Sequence, residues 1–209
     1  MNSLKYIISD FINLVSENGN EISIDIPSEI SIKNNIIINN SIDKIIILGN
    51  SPNSSSIKFE NENHYIKFSI NVKEIEIKNI TIIGNIIFDN NEKITMDNVS
   101  ITGMIDSNFK IKNDFFIIKN IHYTPNSNPE DICVNLGGNL EIENSKFFGG
   151  ISCIYRLMKF YGFNKYNISI NNSYFSGEYA CAILFIDTTN KADIKNSVFE
   201  KVFSNNSEG

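Results

Sequence analysis

Ile75-Glu76-Ile77-Lys78-Asn79-Ile80-Thr81-Ile82 contains a phrase that recurs along the chain: apolar, any, apolar, any, Asn, and a further apolar residue three positions on. The later copies begin Ile94-Thr-Met96-Asp-Asn98, Phe116-Ile-Ile118-Lys-Asn120, Leu140-Glu-Ile142-Glu-Asn144, Ile168-Ser-Ile170-Asn-Asn172 and Ala192-Asp-Ile194-Lys-Asn196. Three residues after the Asn stand Ile82, Ile101, Tyr123, Phe147, Phe175 and Phe199. The Asn spacings are 19, 22, 24, 28 and 24 residues. A repeat of this length, built on two-residue alternation, implies a solenoid of strands rather than helices.

Alternation turns one side of each short strand inward. Asn tolerates the left-handed backbone conformation and so turns the chain between two strands. If each phrase is one coil, equivalent residues stack about 4.8 Å apart in parallel. The inner columns are then Ile75, Ile94, Phe116, Leu140, Ile168 and Ala192, beside Ile77, Met96, Ile118, Ile142, Ile170 and Ile194. Six aligned Asn side chains are expected to form a ladder, each amide bonding the next. The outward column before each Asn reads Lys78, Asp97, Lys119, Glu143, Asn171 and Lys195, a solvated face laced with weak ion pairs.

Toward the N-terminus, Leu4, Ile7, Ile8, Phe11, Leu14 and Val15 follow helical spacing, with Ser3 as N-cap and Gly19 as stop. An amphipathic helix over residues 1–19 would cover the open edge of the first coil. Strands are expected near 21–26, 36–38, 45–48 and 57–59, with a loop over 49–53. The fold expected is therefore all-β: a right-handed parallel β-helix of about nine coils over residues 20–209, a rod about 40 Å long, with an N-terminal capping helix. The polar end, Ser204 to Gly209, reads as a loop into another coil, so the helix is expected to continue in a longer protein.

With its capping helix, Asn turns and Phe/Ile columns, the chain resembles the right-handed parallel β-helix, or pectate-lyase-like, superfamily. That resemblance implies the fold and leaves the activity open. Pectate lyases of this fold use acidic Ca²⁺ ligands and an Arg base; the one Arg here, Arg156, sits in a Lys- and aromatic-rich segment. The Gly-His-Gly and Arg-Ile-Lys segments of polygalacturonase-like members do not occur. Hydrolysis needs two carboxylates about 5 to 10 Å apart. Glu141 with Glu143, and Glu74 with Glu76, share outer faces, but Lys119 and Lys78 neighbour them, so paired surface charge is their expected role. His122 falls in an outward column with Thr81, Ser100, Lys146 and Tyr174, where a lone His is decoration more often than catalyst. No catalytic residue, metal ligand set or cofactor is expected.

The chain carries a formal net charge of -6, which disfavours nucleic acid. No apolar run is long enough to span a membrane, and no signal peptide stands at the start. Ile and Asn make up over a third of the residues and Lys far outnumbers Arg, the signature of an A/T-rich genome rather than of a function. Sequons at Asn53, Asn79, Asn98, Asn167, Asn171 and Asn205 are cheap in such a sequence; those at Asn79 and Asn98 fall on the expected ladder, too buried for glycosylation.

Aligning Asn144 with Asn172 brings Cys153 level with Cys181. Cys133 joins that column if the loop from Pro125 to Glu130 holds about four extra residues. The readings are a stack of small buried thiols, a disulfide or a metal site; the first is the expected one. Neither His64 nor His122 falls at zinc-ligand spacing.

The segment Ile154 to Tyr166 departs from the repeat and concentrates Tyr155, Arg156, Lys159, Phe160, Tyr161, Phe163 and Tyr166, with Tyr174 and Tyr179 on the next coil. Tyr and Arg are enriched in protein-binding hot spots, and aromatic rings on a flat β face also suit sugars. The alternative is a loop folded over the core or a short helix packing Leu157, Phe160 and Tyr161. A second insertion, Thr124 to Asp131, is expected to flank the same side. Phe175-Ser-Gly-Glu-Tyr-Ala-Cys181, its partner Phe147 to Cys153 and the composition also resemble repeats in the scaffoldins of anaerobic gut fungi. That likeness implies a monomeric, extracellular, cohesin-type module that binds dockerin domains of plant-wall-degrading enzymes. A polysaccharide-binding or polysaccharide-cleaving β-helix and a surface adhesin rod are the alternatives.

Overall fold

The computed structural model describes residues 21–108 and 115–203. The expected helix over 1–19, the sequon at Asn205 and the polar end lie outside the described residues. In the first turn the chain forms β1 (Glu21–Ile26), β2 (Glu29–Ile32) and β3 (Ile36–Ile38). The second holds β4 (Ile42–Gly49), β5 (Ser56–Phe59) and β6 (Tyr65–Phe68). The next two have long strands, β7 (Val72–Ile83) with β8 (Asn85–Asp89), and β9 (Lys93–Thr102) with β10 (Ile105–Asn108). Then follow β11 (Phe115–Lys119), β12 (His122–Thr124) and β13 (Glu130–Gly137), and β14 (Asn139–Glu143), β15 (Lys146–Phe148) and β16 (Cys153–Tyr161). The last full turn is β17 (Asn167–Asn171), β18 (Tyr174–Ser176) and β19 (Ala182–Asp187), after which β20 (Lys191–Lys195) and β21 (Val198–Glu200) begin another.

The pairing is parallel throughout. Each turn adds one strand to each of three faces. The first face stacks β1, β4, the leading parts of β7 and β9, β11, β14, β17 and β20. The second stacks β2, β5, the trailing parts of β7 and β9, β12, β15, β18 and β21. The third is the seven-stranded sheet β3-β6-β8-β10-β13-β16-β19. The chain is thus a parallel β-solenoid of about seven turns rather than nine. Nine is too many because the strands expected at 21–26 and 36–38 share one turn and those at 45–48 and 57–59 share the next: Lys44 pairs with Glu74, a full 30-residue turn.

The inner columns fall in the register that the repeat demands. Ile75, Ile94, Phe116, Leu140, Ile168 and Ala192 are successive partners, as are Ile82, Ile101, Tyr123, Phe147, Phe175 and Phe199. The rings of Phe147, Phe175 and Phe199 lie nearly parallel, with centroids 5.1 and 4.8 Å apart. Burial of such columns is the dominant favourable term, about 1.5–3 kcal/mol per large apolar side chain.

All six corner Asn residues have φ between 49° and 55°, the left-handed turn that the repeat requires. Their side chains do not form the expected continuous ladder. Asn98 donates to Asn79 Oδ1 at 2.8 Å, but Asn120 donates to Asp97 at 2.7 Å and Asn196 to Asn171 at 3.4 Å. The left-handed turn points the amide outward, so Asn98, Asn120, Asn144, Asn172 and Asn196 are exposed rather than buried. There the residue before the neighbouring Asn competes as acceptor.

The buried ladder is one position later and made of serine. The backbone N–H groups of Ile121, Ser145 and Ser173 donate to the hydroxyls of Ser145, Ser173 and Ser197 at 3.1, 3.2 and 3.1 Å. Those hydroxyls in turn donate to the carbonyls of Glu143, Asn171 and Lys195 at 2.8, 2.9 and 2.8 Å. A hydroxyl both accepts and donates, so it takes the amide that the tight corner leaves without a backbone partner and donates to a carbonyl that already accepts from the Asn N–H of the preceding turn. Ser173→Ala strands the Ser145 N–H and is expected to cost about 1–3 kcal/mol in urea unfolding. Asn172→Gly, which keeps the left-handed turn, is expected to change stability by less than about 1 kcal/mol.

Candidate functional site

The aromatic segment is neither a loop nor a helix. Residues 153–161 form β16, a strand of the third face between β13 and β19. Its departure from the repeat is a bulge: Glu130 pairs with Cys153, but Ile132 pairs with Arg156. Arg156 then pairs with Ala182 and Lys159 with Phe185. This offset removes Cys181 from the level of Cys153. Cys153 instead bonds to Cys133 across the bulge, with S–S 2.03 Å and Cα–Cα 5.4 Å, so the expected stack of three free thiols is corrected. Cys181 stays free and buried, and burial pushes its thiol up from the ordinary value, away from the reactive thiolate.

Strand alternation sorts the nine candidate residues. Phe160 is fully buried opposite Leu136 and Ile186, and Tyr166 is 3% exposed, so both belong to the core rather than to a contact surface. Tyr174 lies on the second face, paired with Lys146 and Val198, and its hydroxyl donates to Glu200 at 2.6 Å. Tyr179 occupies the turn into β19 and is 71% exposed. Tyr155, Arg156, Lys159, Tyr161 and Phe163 remain together on or beside the outer third face. Tyr155 and Phe163 are about half exposed.

Four of them, Arg156, Lys159, Tyr161 and Phe163, link to a further residue that the sequence reading missed. The Arg156 guanidinium lies over the Phe185 ring, 4.4 Å from its centroid. Lys159 Nζ stands 3.9 Å from the Tyr161 centroid and 5.5 Å from that of Phe185, and donates to the Tyr161 hydroxyl. Tyr161 stacks on Phe163 at 5.8 Å. Phe185 is 42% exposed. Ala182 to Asp187 is apolar almost throughout, with Ile183 buried and Phe185 exposed, so alternation gives no signal for it, and its pairing with Lys159 differs from the register of the ungapped alignment.

Exposed apolar side chains gather around this cluster. Ile151 is 93% exposed in the turn before β16, and Ile154 lies beside Tyr155 on β16, so the aromatic and apolar surface runs from the corner onto the sheet. The insertion at 124–131 meets the corner before β16, where Glu130 N–H donates to Ser152 O at 2.7 Å and Pro125 lies against Gly150. The rest folds the other way along the rod. Asn126 Nδ2 donates to Glu62 O at 3.1 Å, Ser127 bonds the Glu62 carboxylate, and Asn128 donates to Asn63 at 2.8 Å. The loop thus clasps a turn some 65 residues earlier in sequence.

The first face is different in kind. Along it Glu21, Lys44, Glu74 and Lys93 are successive partners. Lys119 holds Glu143 at 3.0 Å and Glu141 at 3.6 Å, and Glu76 is held by Lys44 at 2.9 Å and by Lys78. These are the carboxylates considered above for hydrolysis. Glu76, Glu141 and Glu143 are bonded to ammonium groups, and Glu74 lies in register between Lys44 and Lys93. On the third face, burial, with Asp131 and Asp106 nearby, holds Glu130 above the usual carboxylate range.

Two measurements check this account. Removing the disulfide by Cys133→Ser with Cys153→Ser reopens a loop closed at sequence separation 20 and is expected to cost about 3 kcal/mol in urea unfolding. Hydrogen bonds from Lys78 and Lys44 hold Glu76 below the usual range, so its contribution is present above the unfolded carboxylate value and lost as pH falls through the folded one. Glu76→Gln is therefore expected to cost up to about 1 kcal/mol at neutral pH and nothing at about pH 2.

Comparison of the chain with protein-family models, with curated proteins and with solved structures finds no match.

Proposed function

We propose that the chain is a non-catalytic binding module, a β-solenoid that presents the outer third face at β16 and β19 to a protein partner. The observation that carries this reading is the exposed Phe185 ring beneath Arg156 and beside Lys159, with Ile154, Tyr155 and Phe163 exposed along β16 and just after it. Exposed apolar groups gathered around an Arg mark contact surfaces in soluble proteins. Parallel sheet on both sides, and the disulfide between β13 and β16, fix the backbone beneath these side chains, so little ordering cost attends binding. The disulfide also favours an oxidising, extracellular setting.

The likeness of Phe147 to Cys153 and Phe175 to Cys181 to fungal scaffoldin repeats supplies a concrete partner: dockerin domains of plant-wall-degrading enzymes. The test is biolayer interferometry of the folded chain against isolated dockerin domains, beside xylan, cellulose and pectin. Dockerin binding is expected, and Tyr155→Ala or Phe163→Ala is expected to weaken it by about 2 kcal/mol, roughly thirtyfold, without shifting the melting curve. Binding of a polysaccharide alone, or its cleavage, would replace this reading with the carbohydrate one.

A further inference from the structure

On this rod Lys44, Lys67, Lys73, Lys78, Lys119, Lys195 and Lys201 each hold a carboxylate. Arg156 and Lys159 do not. Among the described residues neither has a carboxylate within ion-pair distance, although the chain carries a net charge of -6. Both are seated on rings instead. A guanidinium over a ring engages its face and leaves its N–H donors at the rim. The Arg156 side chain makes no hydrogen bond among the described residues, so its five donors are free for a ligand while its position is already set by Phe185.

The nearest acids in register do not fill this role. Asp106 is two strands from Lys159 in the same outward row, and Asn135 stands between them and donates to Asp106 at 2.8 Å. Asp187 is level with Tyr161 on β19, and Glu130 and Asp131 lie at the far end of the bulge. These acids frame the cations and would repel a long polyanion, whereas a few carboxylates placed locally reach both cations. The flanking rings need apolar side chains to cover them, which a peptide supplies beside its acids.

We infer that the occupant of this face is a peptide segment of the partner that pairs carboxylates with Arg156 and Lys159 and lays apolar side chains on Tyr155, Phe163 and Phe185. This deepens the binding-module reading and rests on it. A phage-displayed library of random dodecapeptides, selected on the folded chain, tests it. Selected peptides are expected to be enriched in Asp and Glu over the input library. The best of them, made synthetically, is expected to lose at least about tenfold in affinity when its acids become amides, or when the chain carries Arg156→Gln with Lys159→Gln. Coincident melting curves show that the double variant folds. Selection of acid-free peptides that are lost on Tyr155→Ala would overturn the acidic occupant and leave the binding face standing. Acidic peptides insensitive to the double variant, or a face that binds polygalacturonate and selects no peptide, would also overturn it. If no peptide is selected and dockerin binding is absent too, both readings fall together.

Discussion

Most of the molecule depends on one backbone constraint: from the third turn onward, each turn leaves its first face through a residue in the left-handed conformation. That conformation costs roughly 1–2 kcal/mol for most residues and is tolerated best by Gly and Asn. Meeting it at Asn79, Asn98, Asn120, Asn144, Asn172 and Asn196 brings the chain back into parallel register one strand spacing away. The apolar columns, the stacked Phe rings and the outer rows of charge all follow from that register. The corner leaves backbone groups to be satisfied, and the serine hydroxyls of the later turns supply partners where a strand cannot.

The same register gives the faces different characters. On the first face, acids and lysines meet as neighbours and pair with one another. On the third face, near β16, the bulge displaces the strand and brings Arg156 and Lys159 opposite Ala182 and Phe185 rather than opposite acids. Cations that rest on rings keep their charge available.

Much of the fold is legible in the repeat because its physical signals are local. Alternation, a left-handed Asn and an aromatic three residues on each report on their own few residues, and together they give the inner columns residue by residue. The turn count and the Asn ladder were misjudged because both depend on how neighbouring turns meet. The serine ladder had a signal, the Asn-Ser pairs at 144–145, 172–173 and 196–197, but its meaning lies in carbonyl and amide groups that no side-chain pattern displays. At the candidate site, the sequence located the aromatic and basic segment. It could not divide Phe160 and Tyr166 from Tyr155 and Phe163, since composition does not say which side of a bulged strand faces out.

The sequence by itself determined that this protein is a parallel β-solenoid, because a two-residue alternation punctuated by Asn has no comparably favourable helical or globular arrangement. Only the tertiary structure decided the pairing of Cys133 with Cys153, the burial of Phe160 and the seating of Arg156 on Phe185. The reason is that these contacts join residues on different turns. Their meeting is set by the length of each turn and by one bulge, quantities that act between strands rather than along them.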